Sequence, residues 1–155
     1  MPSPDQMRAL DRLRSTARDL VSLTSTATPG QLRRMPRPGQ WAPALVLAHL
    51  ADHELVYSVR LRMIVAEHRP SLVAYDEGAW AERFADLEAD AKEVLGRFRS
   101  LREMNLALLG SLSDEEWARV GVHEQRGEQT VAQIVGVMAD HDRNHLAQLR
   151  QGLSG

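Results

Sequence analysis

Cysteine is absent from the chain, and that absence removes disulfides, thiolate nucleophiles and thiolate metal ligands together. Any bound metal must rest on nitrogen and oxygen, a donor set that suits zinc, nickel, manganese or iron better than thiophilic ions. A surplus of positive charge is also missing, since 19 basic residues face 21 acidic ones for a formal net charge of −2. Without a concentrated basic surface there is no electrostatic case for nucleic acid as a partner. The richest basic stretch, Arg8 to Arg18, is diluted by Asp11 and by Asp19 just beyond it, and reads as a solvated helix face. No apolar run approaches the ~20 residues that span a bilayer, so no membrane partner is expected. The opening MPSPDQ has neither a charged lead nor an apolar stretch; no signal peptide is expected, and the expected location is the cytoplasm.

What is present is an ordinary globular composition, 43% apolar and 26% charged over 155 residues. That length and composition predict one domain, residues 1–155, with a core that needs no staples. Four long segments show helical periodicity. The first runs from about Asp5 to Thr24, with Leu10, Leu13, Ala17 and Leu20 on one face. Residues 25–40 hold Pro29, Gly30, Pro36, Pro38 and Gly39, which predicts a long loop crossing to the far end of the molecule. The second helix begins near Trp41 with Pro43 in its first turn and ends near Glu67. Residues 71–78 read as a connection. The third is expected to be continuous from about Ala79 to Gly110, its seam built from residues such as Trp80, Phe84, Leu87, Val94 and Phe98 and interrupted only by Asn105. Ser113 with Glu116 is a capping box for a short helix at 114–118, residues 119–129 read as irregular and polar, and Thr130 with Gln133 opens the last helix to about Gln151. The prediction is an all-α four-helix bundle with a long first crossover and a short extra helix before the last.

Histidine makes the sequence specific. Positions four apart on a helix differ by only ~40° in azimuth and ~6 Å in height. His141 and His145 therefore share a face, and it is the apolar stripe of Ile134, Met138 and Leu149. Two unsatisfied rings there would cost about 1–3 kcal/mol each, and one metal ion can satisfy several at once. On the second helix His49 and His53, also four apart, flank the seam of Val46, Leu50 and Tyr57. Two helices offering inward histidine pairs can converge on one ion in a bundle core; spacing alone does not choose between His49 and His53. His68 and His123 read as surface residues. Asp142 stands where a zinc-protease helix motif would need its longer glutamate base, so peptidase chemistry is not expected.

The order and spacing of several segments resemble the DinB-like family, which includes the YfiT type. Those segments are Trp41, Ala48-His49-Leu50-Ala51-Asp52, Tyr75-Asp76-Glu77 with Trp80, Leu112-Ser113-Asp114-Glu115-Glu116-Trp117, and His141-Asp142-Arg143-Asn144-His145-Leu146-Ala147-Gln148-Leu149. The resemblance implies an up-down-down-up bundle, a homodimer, and a divalent metal held by His49, His141 and His145. His53 departs from the family's usual small residue and leaves open a fourth ligand or an exchange of roles with His49. The resemblance further implies a small-molecule substrate, handled by a hydrolase or by an S-transferase that uses a low-molecular-weight thiol. A non-catalytic metal-binding stress-response module working through its dimer surface is the alternative, and histidines that are merely buried are a third reading.

Three histidines leave a coordination position open, as in catalytic sites. Asp52 and Asp142 are spaced to reach the ligand rings as outer acceptors, although each alone reads slightly better as a solvated helix residue. Arg60 is a candidate receiver for an anionic substrate group, but the stronger expectation is a side chain snorkelling to solvent. Tyr57, the other candidate at the substrate, reads first as core packing.

Overall fold

Cap chemistry sets where the helices begin. In the computed structural model, which describes residues 2–85 and 90–154, Ser3 and Gln6 form a reciprocal capping box that opens α1 (Pro4–Ser25). Thr28 and Gln31 do the same for α2 (Pro29–Arg33), a short helix inside the stretch expected to be loop throughout. Pro29 stops nothing there, because at N1 its missing N–H is one that the first turn leaves free anyway. Helix α3 (Pro43–Ala66) follows, then β1 (Ser71–Leu72) and α4 (Glu77–Phe84). Helix α5 (Ala91–Ser111) restarts with Asp90 accepting from the Lys92 amide. The third pattern is therefore two helices: Asp76 and Asp90 each act as an N-cap, and a helix cannot run through its own cap. Leu87, expected on that seam, lies outside the described residues. Helix α6 (Asp114–Trp117), strands β2 (Val120–His123) and β3 (Gly127–Thr130), and α7 (Val131–Leu153) complete the chain.

The irregular polar stretch expected at 119–129 is a hairpin. β2 pairs antiparallel with β3 and parallel with β1, which makes a three-stranded sheet in the order β1-β2-β3. Gly127, at φ 74°, closes the turn in the left-handed region. Gly121 serves a different need: a Cβ there would lie 2.8 Å from both Ile64 Cγ1 and Leu72 Cδ1. The sheet thus sits tight against the end of α3. Its inward side chains include His123, 3% exposed, which corrects the expectation of a surface residue; His68 is exposed as expected.

Cross-helix contacts fix the direction of the four long helices. Arg12, Thr16 and Asp19 of α1 meet Asp140, Asp142 and Arg150 of α7 in ascending order, so these two run parallel. Glu54 and Ser58 of α3 meet Arg102 and Asn105 of α5 in the same sense. His49 and His53 of α3 meet His145 and His141 of α7 in reverse order, so that pair is antiparallel. The result is the up-down-down-up four-helix bundle, with α1 and α3 on opposite corners.

Two apolar clusters fill the bundle, one around Leu61, Ile64, Trp117 and Met138, the other around Leu20, Leu47, Leu50 and Phe98. Between the helices lies a polar knot. The Arg102 guanidinium, 1% exposed, donates to Glu54 Oε1 and Oε2 at 2.9 and 2.8 Å. It also donates to Asp142 Oδ2 and Oδ1 at 2.7 and 3.1 Å, and to the Leu13 carbonyl at 2.9 Å. Burial alone would lower its pKa, but Glu54 and Asp142 together raise it above the ordinary value. Asn105, the residue that interrupts the α5 seam, donates to Glu54 Oε1 and Ser58 Oγ. One side chain thereby joins all four long helices, and its five N–H groups are all satisfied.

Candidate metal centre

The centre lies between α3 and α7, one helical face away from that knot. His49 Nε2 and His141 Nε2 are 2.8 Å apart. The three rings of His49, His141 and His145 have centroids separated by 4.8, 4.6 and 4.4 Å. One nitrogen from each lies within 4.8 Å of the others, with His49 buried and the α7 pair half-buried. Two nitrogens bonded to one ion at about 2.0–2.1 Å sit roughly 3 Å apart, so the His49–His141 approach fits a shared ion. Only one proton can lie between those two atoms, and a cation replaces it without repulsion.

The protonation states suit ligation. Burial first, then His145, lowers His49 to about 4. Burial, His145 and His49 lower His141 to about 2. Both rings are neutral at pH 7 and present lone pairs. His145 Nδ1 faces Gln148 Oε1 at 2.8 Å; that partner fixes the proton on Nδ1 and leaves Nε2 free for a metal. His141 Nδ1 has no hydrogen-bond partner among the described residues. Trp41 packs edge-on against His49, with centroids 5.2 Å apart.

The structure places the other candidates as follows. His53 is 3% exposed and stacks on His141 at 3.5 Å, and burial before all else holds its pKa well below the usual value. It also belongs to a second group of candidate ligands, His53, Glu77 and His141. Asp142 has both carboxylate oxygens on Arg102 and one also on the Thr16 hydroxyl. Asp52 is half-buried on the α3 turn between His49 and His53. Tyr57 stacks on His53 at 4.1 Å and is 2% exposed. Arg60 is 5% exposed and donates to the Val73 carbonyl at 2.8 Å, so it does not snorkel; β2 and residue 73 cover the route to solvent.

Two contributors carry no periodic signal in the sequence. Glu77, in the first turn of α4, brings Oε2 to 3.9 Å from His49 Nε2. Asp76 positions that turn by capping Ala79 N at 2.9 Å. Arg126, in the hairpin turn, donates to the Tyr57 hydroxyl at 3.0 Å. Their segments are brought against α3 only by the crossovers, so helical phase says nothing about them. Gln148 was within reach, three residues after His145 on the same face.

The family model of the DinB superfamily matches residues 12–149 of this chain. A protein of Oceanobacillus iheyensis named "putative metal-dependent hydrolase" is 30% identical over 119 residues, which is 77% of this chain and 69% of that one. YfiT of Bacillus subtilis, named in the same words, is 29% identical over 133 residues, 85% of this chain and 75% of its own. A solved structure of YfiT superposes with a TM-score of 0.89 at 25% identity, covering 98% of this chain and 88% of that one. It is described as a "probable metal-dependent hydrolase with an unusual four-helix bundle topology". No helix among the described residues is long and apolar enough to cross a membrane.

Proposed function

The chain belongs to the DinB superfamily, and from that premise we propose that it is a divalent-metal-dependent enzyme that hydrolyses a small molecule. The observation that carries this reading is the convergence of three histidine nitrogens, two of them on rings held neutral, with a carboxylate beside them. His49, His141 and His145 would hold the ion. Bound there, a divalent cation would supply Lewis acidity, lowering the pKa of a water or thiol at the site. Zinc or nickel fits this donor set best, with manganese or iron behind.

The chain's own residues supply the rest. Glu77, half-exposed and 3.9 Å from His49 Nε2, is placed to take the proton that the nucleophile gives up. Gln148 orients the His145 ring. Trp41 and Tyr57 wall the histidines with apolar surface, which strengthens charge interactions inside. The same open position favours one second reading, transfer to a low-molecular-weight thiol, because a coordinated thiol loses its proton outright.

Metal analysis of purified protein tests the site: wild type is expected to hold one ion per chain, and His49→Ala, His141→Ala and His145→Ala to hold less than a tenth of that. Equal metal in all four proteins refutes the centre. A panel of ester, amide and phosphoester substrates, run with and without chelator, tests the reaction. Conjugation of glutathione, bacillithiol or mycothiol to a model electrophile tests the thiol reading. Turnover that chelator leaves unchanged refutes the metal-dependent reading, and no turnover above background in either assay leaves a non-catalytic binding module as the result. A homodimer is the proposed assembly, with light scattering at twice the monomer mass as its check.

A further inference from the structure

Toward the end of the bundle that carries the sheet, positive charge collects without carboxylate partners. Arg60 is 5% exposed. Its hydrogen bond to Val73 O uses Nη2, its Nε has no partner, and it forms no ion pair with an acid among the described residues. Arg102, comparably buried, engages two carboxylates. A buried cation lacking a counter-ion is costly. Arg60 stays buried under those terms, which points to an anion that arrives from outside.

His123 makes the same argument from hydrogen bonding. Its Nδ1 accepts from the backbone amides of Gln125 and Arg126 at 3.1 and 3.2 Å, which assigns the ring proton to Nε2. That Nε2–H then faces the Arg60 Nη2 donor at 3.3 Å. Two donors this close call for a single acceptor that bridges both from the side. Arg126 forms no ion pair among the described residues either, and its guanidinium rests on the Tyr57 hydroxyl. The buried Tyr75 hydroxyl has no hydrogen-bond partner among the described residues. Burial, then Glu77, Asp52 and Tyr57, push the Tyr75 phenol above its ordinary range while Arg60 pulls it down.

We propose that Arg60, Arg126, His123 and the Tyr57 and Tyr75 hydroxyls form an oxyanion subsite beside the histidine centre, so that the substrate is a small molecule carrying a carboxylate or phosphate. Arg126 is exposed at the hairpin turn, and Arg60 and His123 are buried at the inner end. Arg60 Cζ lies 4.8 Å from the Tyr57 ring centroid, Tyr57 stacks on His53, and His53 stacks on His141. The subsite is therefore two stacked rings away from a metal ligand, and it holds the end of the substrate that does not react. The inference rests on the metal-dependent reading only for where the reacting group sits; anion binding stands without it.

The test is a nitrogen-15 NMR titration of the zinc-loaded protein with acetate, methyl phosphate and, as the neutral control, acetamide. Saturable shifts of the Gln125 and Arg126 amides are expected with one or both anions and not with acetamide, and the tighter of the two distinguishes carboxylate from phosphate. Arg126→Gln and Tyr75→Phe are each expected to weaken that binding at least tenfold at unchanged zinc content. Equal response to acetamide, shifts that never saturate, or full affinity in Arg126→Gln overturns the subsite. Repeating the titration after metal removal separates the two readings. Binding lost with the zinc places the anion on the ion and overturns the subsite alone. Binding retained in a protein that takes up no stoichiometric metal upholds the subsite and overturns the metal centre.

Discussion

Acid should destabilise the metal-free protein through its histidines, by an amount the centre itself sets. In the folded chain His49 is lowered to about 4 and His141 to about 2, against 6.5 for an ordinary histidine. The unfolded chain then binds more protons than the folded one below 6.5, so stability is full above that value and falls as pH drops through it. The fall continues toward the folded-state values and flattens for each ring once its own is passed. At pH 5, about 1.5 pH units below the unfolded value, each ring contributes a loss of about 2 kcal/mol at 1.36 kcal/mol per unit. The two together remove about 4 kcal/mol, a large part of the roughly 5–15 kcal/mol that holds a domain folded. His53, also lowered, acts in the same direction. Urea unfolding in chelator at pH 7.5, 6.5, 5.5 and 5.0 measures this; at a slope of about 2 kcal/mol/M the midpoint moves by roughly 2 M. His141→Asn should remove about 2 kcal/mol of the pH dependence. A stability that changes by less than about 1 kcal/mol over this range, or a His141→Asn profile parallel to wild type, refutes the assignment of the effect to neutral buried rings.

Other perturbations probe the parts around the centre. Arg102→Met strands Glu54 and Asp142 in the core and is expected to cost about 3–5 kcal/mol, seen by calorimetry as a fall of roughly 10 °C or more; replacing all three residues with apolar ones of similar size should recover most of it. Gln148→Leu should weaken zinc affinity about tenfold or more while the metal-free protein unfolds at an unchanged urea midpoint, and an unchanged affinity would dismiss Gln148 as the orienting group. Gly121→Ala places a Cβ 2.8 Å from Ile64 and Leu72 and should cost about 1–3 kcal/mol by urea titration.

The bundle was legible because its evidence is periodic. Val46, Leu50, His49 and His53 share a phase on α3, as do Ile134, Met138, His141 and His145 on α7. That phase predicts which rings face the core before any tertiary contact is known. Four-residue strands offer no such window: Val120 and Val122 alternate with Gly121 and His123, too briefly to outweigh the polar turn that follows. The helical phase of residues 79–110 runs across the break at Asp90, so the restart of α5 shows in its cap and not in its apolar pattern. Arg60 was misplaced for a related reason. Its acceptor is Val73 O and its cover is the hairpin, both supplied by segments whose position depends on the crossovers. His49 was distinguished from His53 by family likeness; geometry adds that His53 lies flat on His141 while His49 meets it nitrogen to nitrogen.

The knot at Arg102 takes its carboxylates from residues that each follow a histidine of the centre, Glu54 after His53 and Asp142 after His141. Neighbours on a helix point about 100° apart, so one helical turn grips the brace with one residue and presents a ring to the pocket with the next. Slipping α3 or α7 by a single turn, about 5.4 Å, would strand a buried charge at the same moment that it scattered the ligands. Inheritance of the one therefore secures the other. The rim owes nothing to this brace: α4 brings Glu77, the hairpin turn brings Arg126, and residue 75 brings a tyrosine. A change in those segments can therefore alter what meets the histidines without touching the brace that sets their spacing.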